Sequence, residues 1–260
     1  MKRLLIALIV ILPLTLAPQS QAISLFDDFS TNPFVAGGAR WCERWHHMHW
    51  DSINLLVSGV DGTSCAGFSC CSCCGTPGCN CSQTNIGGFF LITMANYTGA
   101  TRSGKTEFAI QTPLNSSLNE HVALYSVTHP NCHAGAQAFV SREPQGDYAL
   151  NIAHTDDGDG MHFECGQLGT KFGTAVRNIS LVTSTLSRYK LTLNTGLSGN
   201  NIRSTATLVD LQTGATLATT AFASLTPTWY NNQAKRFGMG GILTQTNFTI
   251  PNDNFLGTSQ

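Results

Sequence analysis

The segment RYKLTLNT, residues Arg188–Thr195, alternates between polar and apolar side chains. Tyr189, Leu191 and Leu193 occupy every second position, and polar residues lie between them. Successive side chains of a β-strand point to opposite sides, so this period of two predicts an antiparallel strand with one buried face. No stretch of the chain shows a sustained helical period, which favours an all-β protein.

Strand-like segments of this kind recur from about residue 86 onward. The further predicted strands are Gly88–Ala95, Thr106–Gln111, Val122–Thr128, Ala136–Ser141, Asp147–Ala153, Asn178–Val182, Ser204–Asp210, Thr216–Phe222 and Phe237–Leu243. Turn-forming residues separate them, for example Ser198-Gly199-Asn200-Asn201 and Thr213-Gly214. Many short strands with such turns predict a β-sandwich or barrel.

The composition supports this fold class and excludes several functions. The chain has 260 residues, of which 42% are hydrophobic and only 11% are charged. Helix surfaces are usually rich in Glu, Lys and Arg, so the low charge disfavours a helical protein. With 14 basic and 15 acidic residues, the net charge is −1, which excludes a basic nucleic-acid-binding protein and an acidic disordered tail.

The first 22 residues have the pattern of a secretory signal peptide. Lys2 and Arg3 precede an apolar run from Leu4 to Leu16, and a small-residue end leads to Ala22. We expect cleavage after Ala22, which leaves residues 23–260 as one extracellular or periplasmic domain. An N-terminal anchor helix is the alternative for this segment. No second long apolar segment follows, so no membrane span is expected in the mature chain.

Ten cysteines in an exported chain predict disulfide bonds. Seven of them lie in residues 61–86, a Gly-, Ser- and Thr-rich stretch that we interpret as an insertion loop: Cys65, Cys70, Cys71, Cys73, Cys74, Cys79 and Cys81. If all are oxidised, this odd number requires at least one bond to a cysteine outside the loop, namely Cys42, Cys132 or Cys165. Clustered thiolates that bind a soft metal ion are the alternative.

Four short motifs, in order along residues 25–257, resemble the concanavalin A-like lectin/glucanase (laminin-G-like) superfamily, as found in secreted bacterial proteins. They are the opening D-D-F (Asp27–Phe29), the Y-x-L-x-L strand (Tyr189–Leu193), the A-x-L-x-D-x-x-T-G hairpin (Ala206–Gly214) and the closing D-N-F (Asp253–Phe255). The resemblance implies a two-sheet antiparallel jelly-roll sandwich whose first and last strands lie side by side. Residues 42–86 do not match the pattern, which sets the Cys-rich insertion apart.

The same resemblance implies a structural calcium ion. Asp253 is the candidate side-chain ligand, with Asp27 or Asp28 nearby. Carboxylate and backbone oxygens are the ligands that calcium prefers. A surface aspartate that ends a strand is the alternative interpretation of Asp253.

Residues 41–51, with the sequence WCERWHHMHWD, hold three of the four tryptophans and three of the eight histidines. In a single strand, Trp45, His47 and His49 would share one face. Aromatic rings can stack on sugars, and the candidate sugar platform consists of Trp41, Trp45 and Trp50. Imidazole and thioether groups can bind copper or zinc, and the candidate ligands are His46, His47, Met48 and His49. Plain aromatic packing is the third possibility.

No catalytic motif is found. The superfamily's glucanases carry an E-x-D-x-x-E strand, which this sequence lacks, and the strand motifs of its alginate lyases are also missing. We therefore expect a protein that is not an enzyme, and predict recognition of an extracellular glycan or cell-surface polysaccharide. An extracellular copper- or zinc-binding protein, or a glycan-active hydrolase or lyase with an unrecognised site, are the alternatives.

Overall fold

A computed structural model gives the architecture of the chain. It describes residues 24–27, 41–45, 48–50, 55–58, 87–93, 101–127, 135–155, 171–199, 201–225, 236–243 and 249–259. Side-chain packing is described within 101–127 (except 118), 135–155, 171–199, 201–224, 237–241 and 256–258. In the described part of the chain, no helix is both long enough and apolar enough to span a membrane.

The described strands form two eight-stranded sheets, which we call sheet I and sheet II. Sheet I contains β1 (Ser24–Asp27), β3 (Met48–Trp50), β4 (Leu55–Ser58), β6 (Thr101–Phe108), β12 (Tyr189–Ser198), β13 (Asn201–Asp210), β14 (Thr216–Leu225) and β16 (Thr249–Ser259). Sheet II contains β2 (Trp41–Trp45), β5 (Gly87–Thr93), β7 (His121–Val127), β8 (Gly135–Arg142), β9 (Tyr148–Thr155), β10 (Lys171–Phe172), β11 (Val176–Ile179) and β15 (Arg236–Leu243).

Both sheets combine strands that are consecutive in the chain with strands that are distant in sequence. Sheet I runs β14-β13-β12-β6-β16-β4-β3, with β1 paired to β16. Sheet II runs β10-β9-β8-β7-β15-β5-β2, with β11 paired to β9. Every described pairing is antiparallel. The predicted all-β, two-sheet antiparallel sandwich is therefore confirmed, while the Cys-rich insertion at 61–86 lies outside the described residues.

The hydrophobic core lies between the sheets. Strand β12 follows its predicted pattern, because Tyr189, Leu191 and Leu193 are buried and the residues between them are partly exposed. The opposing layer comes from alternate residues of β7, β8, β9 and β15, including Leu124, Ile152 and the buried Phe237. Burial of such side chains stabilises each by about 1.5–3 kcal/mol relative to exposure.

The middle of sheet II is buried on both faces. All seven residues of β7 are buried, and so are the first six residues of β8. An antiparallel sheet commonly has one face in contact with water, which shows as alternation of buried and exposed residues. The outward face of β7 and of most of β8 is therefore covered. Towards the edge of the sheet, Asn151 of β9 is partly exposed and both residues of β10 are exposed.

The first and last strands are neighbours, as the resemblance implies. Asp27 of β1 lies opposite Phe255 of β16 in the antiparallel register. Strand β16 also pairs with β6, where a register shift occurs between Asp253 and Leu256. A bulge of this kind adds an unpaired residue and increases the local twist.

The tryptophan- and histidine-rich stretch does not form the single strand considered above. Trp45 ends β2 at one edge of sheet II, and Met48 begins β3 at one edge of sheet I. The alternation of faces therefore does not continue from Trp45 to Trp50. The chain leaves one sheet and enters the other within these few residues, which local periodicity does not reveal.

Candidate functional site

The outward face of sheet II carries an aromatic and polar site where β8, β9 and β10 lie side by side. Asn151 of β9 lies opposite Phe139 of β8, and Phe172 of β10 lies opposite Ala153 of β9. Because side chains alternate along a strand, these residues share one face. Ser141 lies two residues beyond Phe139 on the same face. We call Phe139, Ser141, Asn151 and Phe172 the Phe172 platform.

Phe172 provides the exposed surface of this platform. It is 52% exposed, whereas Phe139 beneath it is only 3% exposed. The two ring centroids lie 6.4 Å apart at an interplanar angle of 77°, which is an edge-to-face contact. His121 makes a second edge contact to Phe139, with ring centroids 5.6 Å apart. The buried rings therefore fix the position of an aromatic ring that is half open to solvent.

Asn151 provides the polar part of the platform. Its side-chain nitrogen donates to Ser141 Oγ at 3.1 Å and to the Ala149 carbonyl at 3.3 Å. These contacts orient the amide, and its Oδ1 accepts no hydrogen bond from the described residues. A fixed amide oxygen next to an exposed aromatic ring can accept a hydrogen bond from a ligand hydroxyl while the ring contacts the ligand's apolar face.

Two buried titratable side chains, His121 and Tyr125, lie beside the platform on the same face of sheet II. Burial lowers the pKa of His121 to about 4, against the opposing effect of its hydrogen bond to Asn119. Nδ1 of His121 donates to the Asn119 carbonyl at 2.8 Å, which leaves Nε2 as the acceptor nitrogen of a neutral ring. Burial likewise raises the pKa of Tyr125, although its hydrogen bond with Gln137 acts in the opposite direction. These side chains are neutral at neutral pH, as suits a site for an uncharged ligand.

Comparisons with solved structures identify the fold. No family model and no curated protein sequence matches the chain. The carbohydrate recognition domain of Emp46p, in its potassium-bound form, matches with a TM-score of 0.52 and 8% identity, over 84% of this chain and 88% of that one. Lectin I from Ulex europaeus, in complex with the methyl glycoside of α-L-fucose, matches with a TM-score of 0.51 and 11% identity, over 92% and 98%.

A third match is the exoplasmic/lumenal domain of VIP36 in its Ca2+/Man3GlcNAc-bound form, with a TM-score of 0.51 and 8% identity, over 90% of this chain and 89% of that one. The chain has the concanavalin A-like lectin fold. The resemblance seen in the four sequence motifs is thereby confirmed for the fold. These neighbours are described as lectins and carbohydrate recognition domains.

Within this lectin fold, the predicted tryptophan platform lies away from Phe172. Trp41 and Trp45 are on β2, which is the edge of sheet II opposite to β10. Trp50 is on β3, at an edge of sheet I. The structure thus does not bring these three tryptophans to the Phe172 platform. Their predicted role in sugar binding stays a prediction.

The predicted transition-metal and disulfide sites are also untested. Met48 and His49 lie on β3, while His46 and His47 lie outside the described residues. Cys42 is on β2, and the other cysteines lie outside the described residues: Cys65, Cys70, Cys71, Cys73, Cys74, Cys79, Cys81, Cys132 and Cys165. Within the described ranges, no group of three or more His, Cys, Asp or Glu residues could hold a metal ion.

The candidate calcium residues lie near one another in the backbone register. Asp27 is opposite Phe255, and Asp253 is two residues before Phe255 on the same strand. Asp28 lies outside the described residues. Two aspartates and a bulged strand are an oxygen-rich donor set, which fits calcium chemistry. The lectin-fold neighbours include a potassium-bound form of Emp46p and a Ca2+-bound form of VIP36.

Sequence reasoning did not find Phe172. Its strand has only two residues, Lys171 and Phe172, which is too short to show a period of two. Its neighbours on the platform come from β8 and β9, which are distant in sequence. An isolated apolar residue before Gly173 in a polar stretch is the one local signal, and it does not indicate a ligand site.

Proposed function

We propose that this protein recognises glycans, and that the Phe172 platform is its binding surface. The observation that carries the proposal is the exposed Phe172 ring beside the oriented Asn151 amide, on a lectin fold. Structural neighbours with fucoside- and Man3GlcNAc-bound forms support a carbohydrate ligand. Fold alone does not fix function, so the site residues have to carry the test.

The chemistry of the platform suits a neutral sugar. A pyranose has an apolar face of C–H groups, which packs against the open face of an aromatic ring. Its hydroxyls can donate to Asn151 Oδ1 and exchange hydrogen bonds with Ser141 Oγ. The neutral His121 and Tyr125 beside the platform add no charge that would select an acidic ligand.

We also propose the cellular context that the sequence predicts. Export by the segment 1–22 would deliver residues 23–260 to an oxidising compartment, where the ten cysteines form disulfides. A native intact mass lower by about ten hydrogens than the reduced mass is then expected. Retained thiols with an added copper or zinc mass would support the metal-binding alternative instead.

A calcium ion held by Asp253 with Asp27 or Asp28 would support the first and last strands. When bound, calcium would neutralise the carboxylates of Asp27 and Asp253, which belong to the paired strands β1 and β16. We expect removal of calcium with a chelator to lower the thermal midpoint of the whole chain, and added calcium to restore it. An unchanged midpoint would contradict this assignment.

The central test compares two exposed apolar side chains on a glycan array and by titration calorimetry. We expect Phe172→Ala to weaken binding of the best glycan at least about tenfold, since stacking on the ring is lost. Leu186→Ala is the matched control, because Leu186 is 78% exposed and lies outside the platform. Asn151→Ala should also weaken binding.

Two results would overturn the proposal. One is a wild-type protein that binds no glycan under conditions where it is folded. The other is glycan binding that Phe172→Ala and Asn151→Ala leave unchanged. Binding that is lost on substitution of Trp45 or Trp50, with Phe172→Ala neutral, would move the site to the predicted tryptophan stretch.

A further inference from the structure

A surface notch lies on the outward face of sheet I, away from the Phe172 platform. It has a volume of about 300 Å³ and is lined by residues of β6, β12, β13 and β16. Ligand pockets in proteins usually begin at about this size. Six of the lining residues lie on the outward face of β6, β12 and β13: Thr101, Ser103, Asn194, Gly196, Arg203 and Thr205.

The notch exists because a glycine lies in the middle of the sheet surface. Gly196 of β12 is opposite Thr101 of β6 on one side and opposite Arg203 of β13 on the other. The glycine has no side chain, so the space between these two neighbours is open. A residue with a side chain at this position would fill the notch.

The next row of the sheet supplies hydrogen-bonding groups. Asn194 is opposite both Ser103 and Thr205, and it lies two residues from Gly196 on the same face. Asn194 is exposed, and Ser103 and Thr205 are partly exposed. An amide and two hydroxyls can both donate and accept hydrogen bonds, which matches the hydroxyl groups of a sugar.

The notch is positively charged. Arg203 is exposed and forms no ion pair with the described residues. No acidic residue is among the described residues that line the notch. Glu107 is on the same strand and face as Thr101, six residues and therefore about 20 Å away, and it lies opposite Lys190. Lys105, between them, adds a second positive charge to this face.

A second arginine lies behind the notch. Arg102 is only 3% exposed, and its Nη1 donates to the Val127 carbonyl of sheet II at 3.4 Å. Its guanidinium is therefore held inside the sandwich, and the exposed Arg203 is the cationic group that a ligand in the notch can reach. An exposed guanidinium without an acidic neighbour in the notch favours an anionic ligand.

We propose that this notch binds an acidic saccharide, with its carboxylate or sulfate group on Arg203 and its hydroxyls on Asn194, Ser103 and Thr205. A guanidinium matches the geometry of both oxyanions with two parallel hydrogen bonds. The notch is on the opposite sheet from the Phe172 platform. It would therefore give the protein a second, charge-selective contact to a glycan, and it does not depend on the platform.

The test titrates three trisaccharides into the full chain by calorimetry: trigalacturonate, sulfated galactotriose and neutral galactotriose. We expect at least one acidic trisaccharide to bind at least about tenfold more tightly than the neutral one, and to weaken as salt is raised. Equal affinity for all three would overturn the proposal. If inorganic sulfate displaces the acidic trisaccharide at equal concentration, the notch is a simple anion site, and this result would also overturn the proposal.

Substitutions test whether the acidic trisaccharide binds in the notch. Arg203→Gln should abolish the preference for acidic trisaccharides, and Gly196→Ser should weaken all binding there by filling the space. Lys190→Gln is the matched control, since it removes one positive charge from the same face at the far end of β12. Folding of each variant is checked by its urea midpoint. An unchanged preference in Arg203→Gln overturns the proposal.

These variants distinguish a wrong assignment of the platform from a wrong assignment of the notch. Phe172→Ala should leave the acidic preference intact, and Arg203→Gln should leave binding of the neutral array ligand intact. If Phe172→Ala loses the acidic preference, the notch assignment is refuted, and if Arg203→Gln loses binding of the neutral ligand, the platform assignment is refuted.

Discussion

His154 of sheet II is hydrogen bonded to Ser204 of sheet I across the interior of the sandwich, with Nε2 and Oγ 2.8 Å apart. The other ring nitrogen, Nδ1, lies 2.6 Å from Ser224 Oγ, and Thr195 Oγ1 lies 3.2 Å from Ser204 Oγ. The two sheets are therefore joined by a buried polar cluster as well as by apolar packing. Burial and, to a smaller extent, the nearby positive charge of Lys171 together lower the pKa of His154 to about 4.

The first prediction is a loss of stability between neutral and mildly acidic pH. In the folded chain, His154 and His121 gain a proton only near pH 4, whereas in the unfolded chain they do so near 6.5. The unfolded state thus binds more protons between these values, so stability falls as the pH falls from 6.5 towards 4. Each histidine should cost about 2 kcal/mol of unfolding free energy by pH 5, measured by urea denaturation at pH 7.5 and 5.0.

A variant isolates the contribution of His154. His154→Gln keeps a hydrogen-bonding group but cannot be protonated, so its unfolding free energy should change less between pH 7.5 and 5.0 than that of the wild type. The other histidines are the same in both proteins and cancel in the difference. The same pH dependence in both proteins would contradict the buried, neutral state of His154.

The second prediction concerns the close contact between the sheets at Gly104. A Cβ atom at this position would lie 2.6 Å from the Cδ1 and Cε1 atoms of Phe237. Gly104→Ala should therefore destabilise the protein by about 1–3 kcal/mol, measured by urea denaturation. A smaller side chain at position 237 provides the control: in the Phe237→Leu background, Gly104→Ala should cost clearly less. If the effects of the two substitutions on the free energy of unfolding are additive, the contact with Phe237 is not the cause of the destabilisation by Gly104→Ala.

Gly104 also shows why the sequence predicts β6 only in part. The predicted strand begins at Thr106, whereas β6 begins at Thr101. Arg102 and Gly104 occupy inward positions, so the apolar alternation that marked Tyr189–Leu193 is missing there. The space over Gly104 is filled by Phe237 from the other sheet. A local pattern cannot reveal a partner that lies more than a hundred residues away.

The same limit applies to the candidate site. The segments with clear alternation, such as Arg188–Thr195, are found as strands, because alternation follows directly from which side chains face the core. Phe172 is placed beside Asn151 by the pairing of β10 with β9, and no pattern within Lys171–Phe172 encodes that pairing. The notch at Gly196 similarly depends on registers that involve three strands.

The third prediction concerns the hydroxyl of Tyr189. It accepts a hydrogen bond from the Val182 N–H at 2.7 Å and donates one to the Val182 carbonyl at 3.0 Å. Tyr189→Phe keeps the ring in the core but leaves both backbone groups without this partner, so we expect a loss of about 1–2 kcal/mol. Amide exchange of Val182 should become faster in the variant. Exchange as slow as in the wild type would show that water or another group replaces the hydroxyl without loss.

The fourth prediction separates two roles of Asp210 at the turn between β13 and β14. Its Oδ1 accepts hydrogen bonds from the backbone N–H groups of Gln212 at 2.8 Å and Thr213 at 3.4 Å, and its Oδ2 accepts one from Arg188 at 3.1 Å. Although burial acts to raise the pKa of Asp210, these hydrogen bonds and the Arg188 charge hold it below its usual value. The turn also needs Gly214, whose φ is +71°.

Asp210→Ala removes the turn hydrogen bonds and the ion pair together, whereas Arg188→Gln removes only the ion pair. Since Arg188 makes one hydrogen bond to Asp210 whereas the turn bonds satisfy two backbone donors, Asp210→Ala should lower the urea midpoint at pH 7 clearly more than Arg188→Gln. Asp210→Asn should fall between them, because its amide oxygen can still accept from Gln212. If the two substitutions lower the midpoint equally, the ion pair carries the whole effect, and the D-x-x-T-G motif stabilises this hairpin through Arg188 alone.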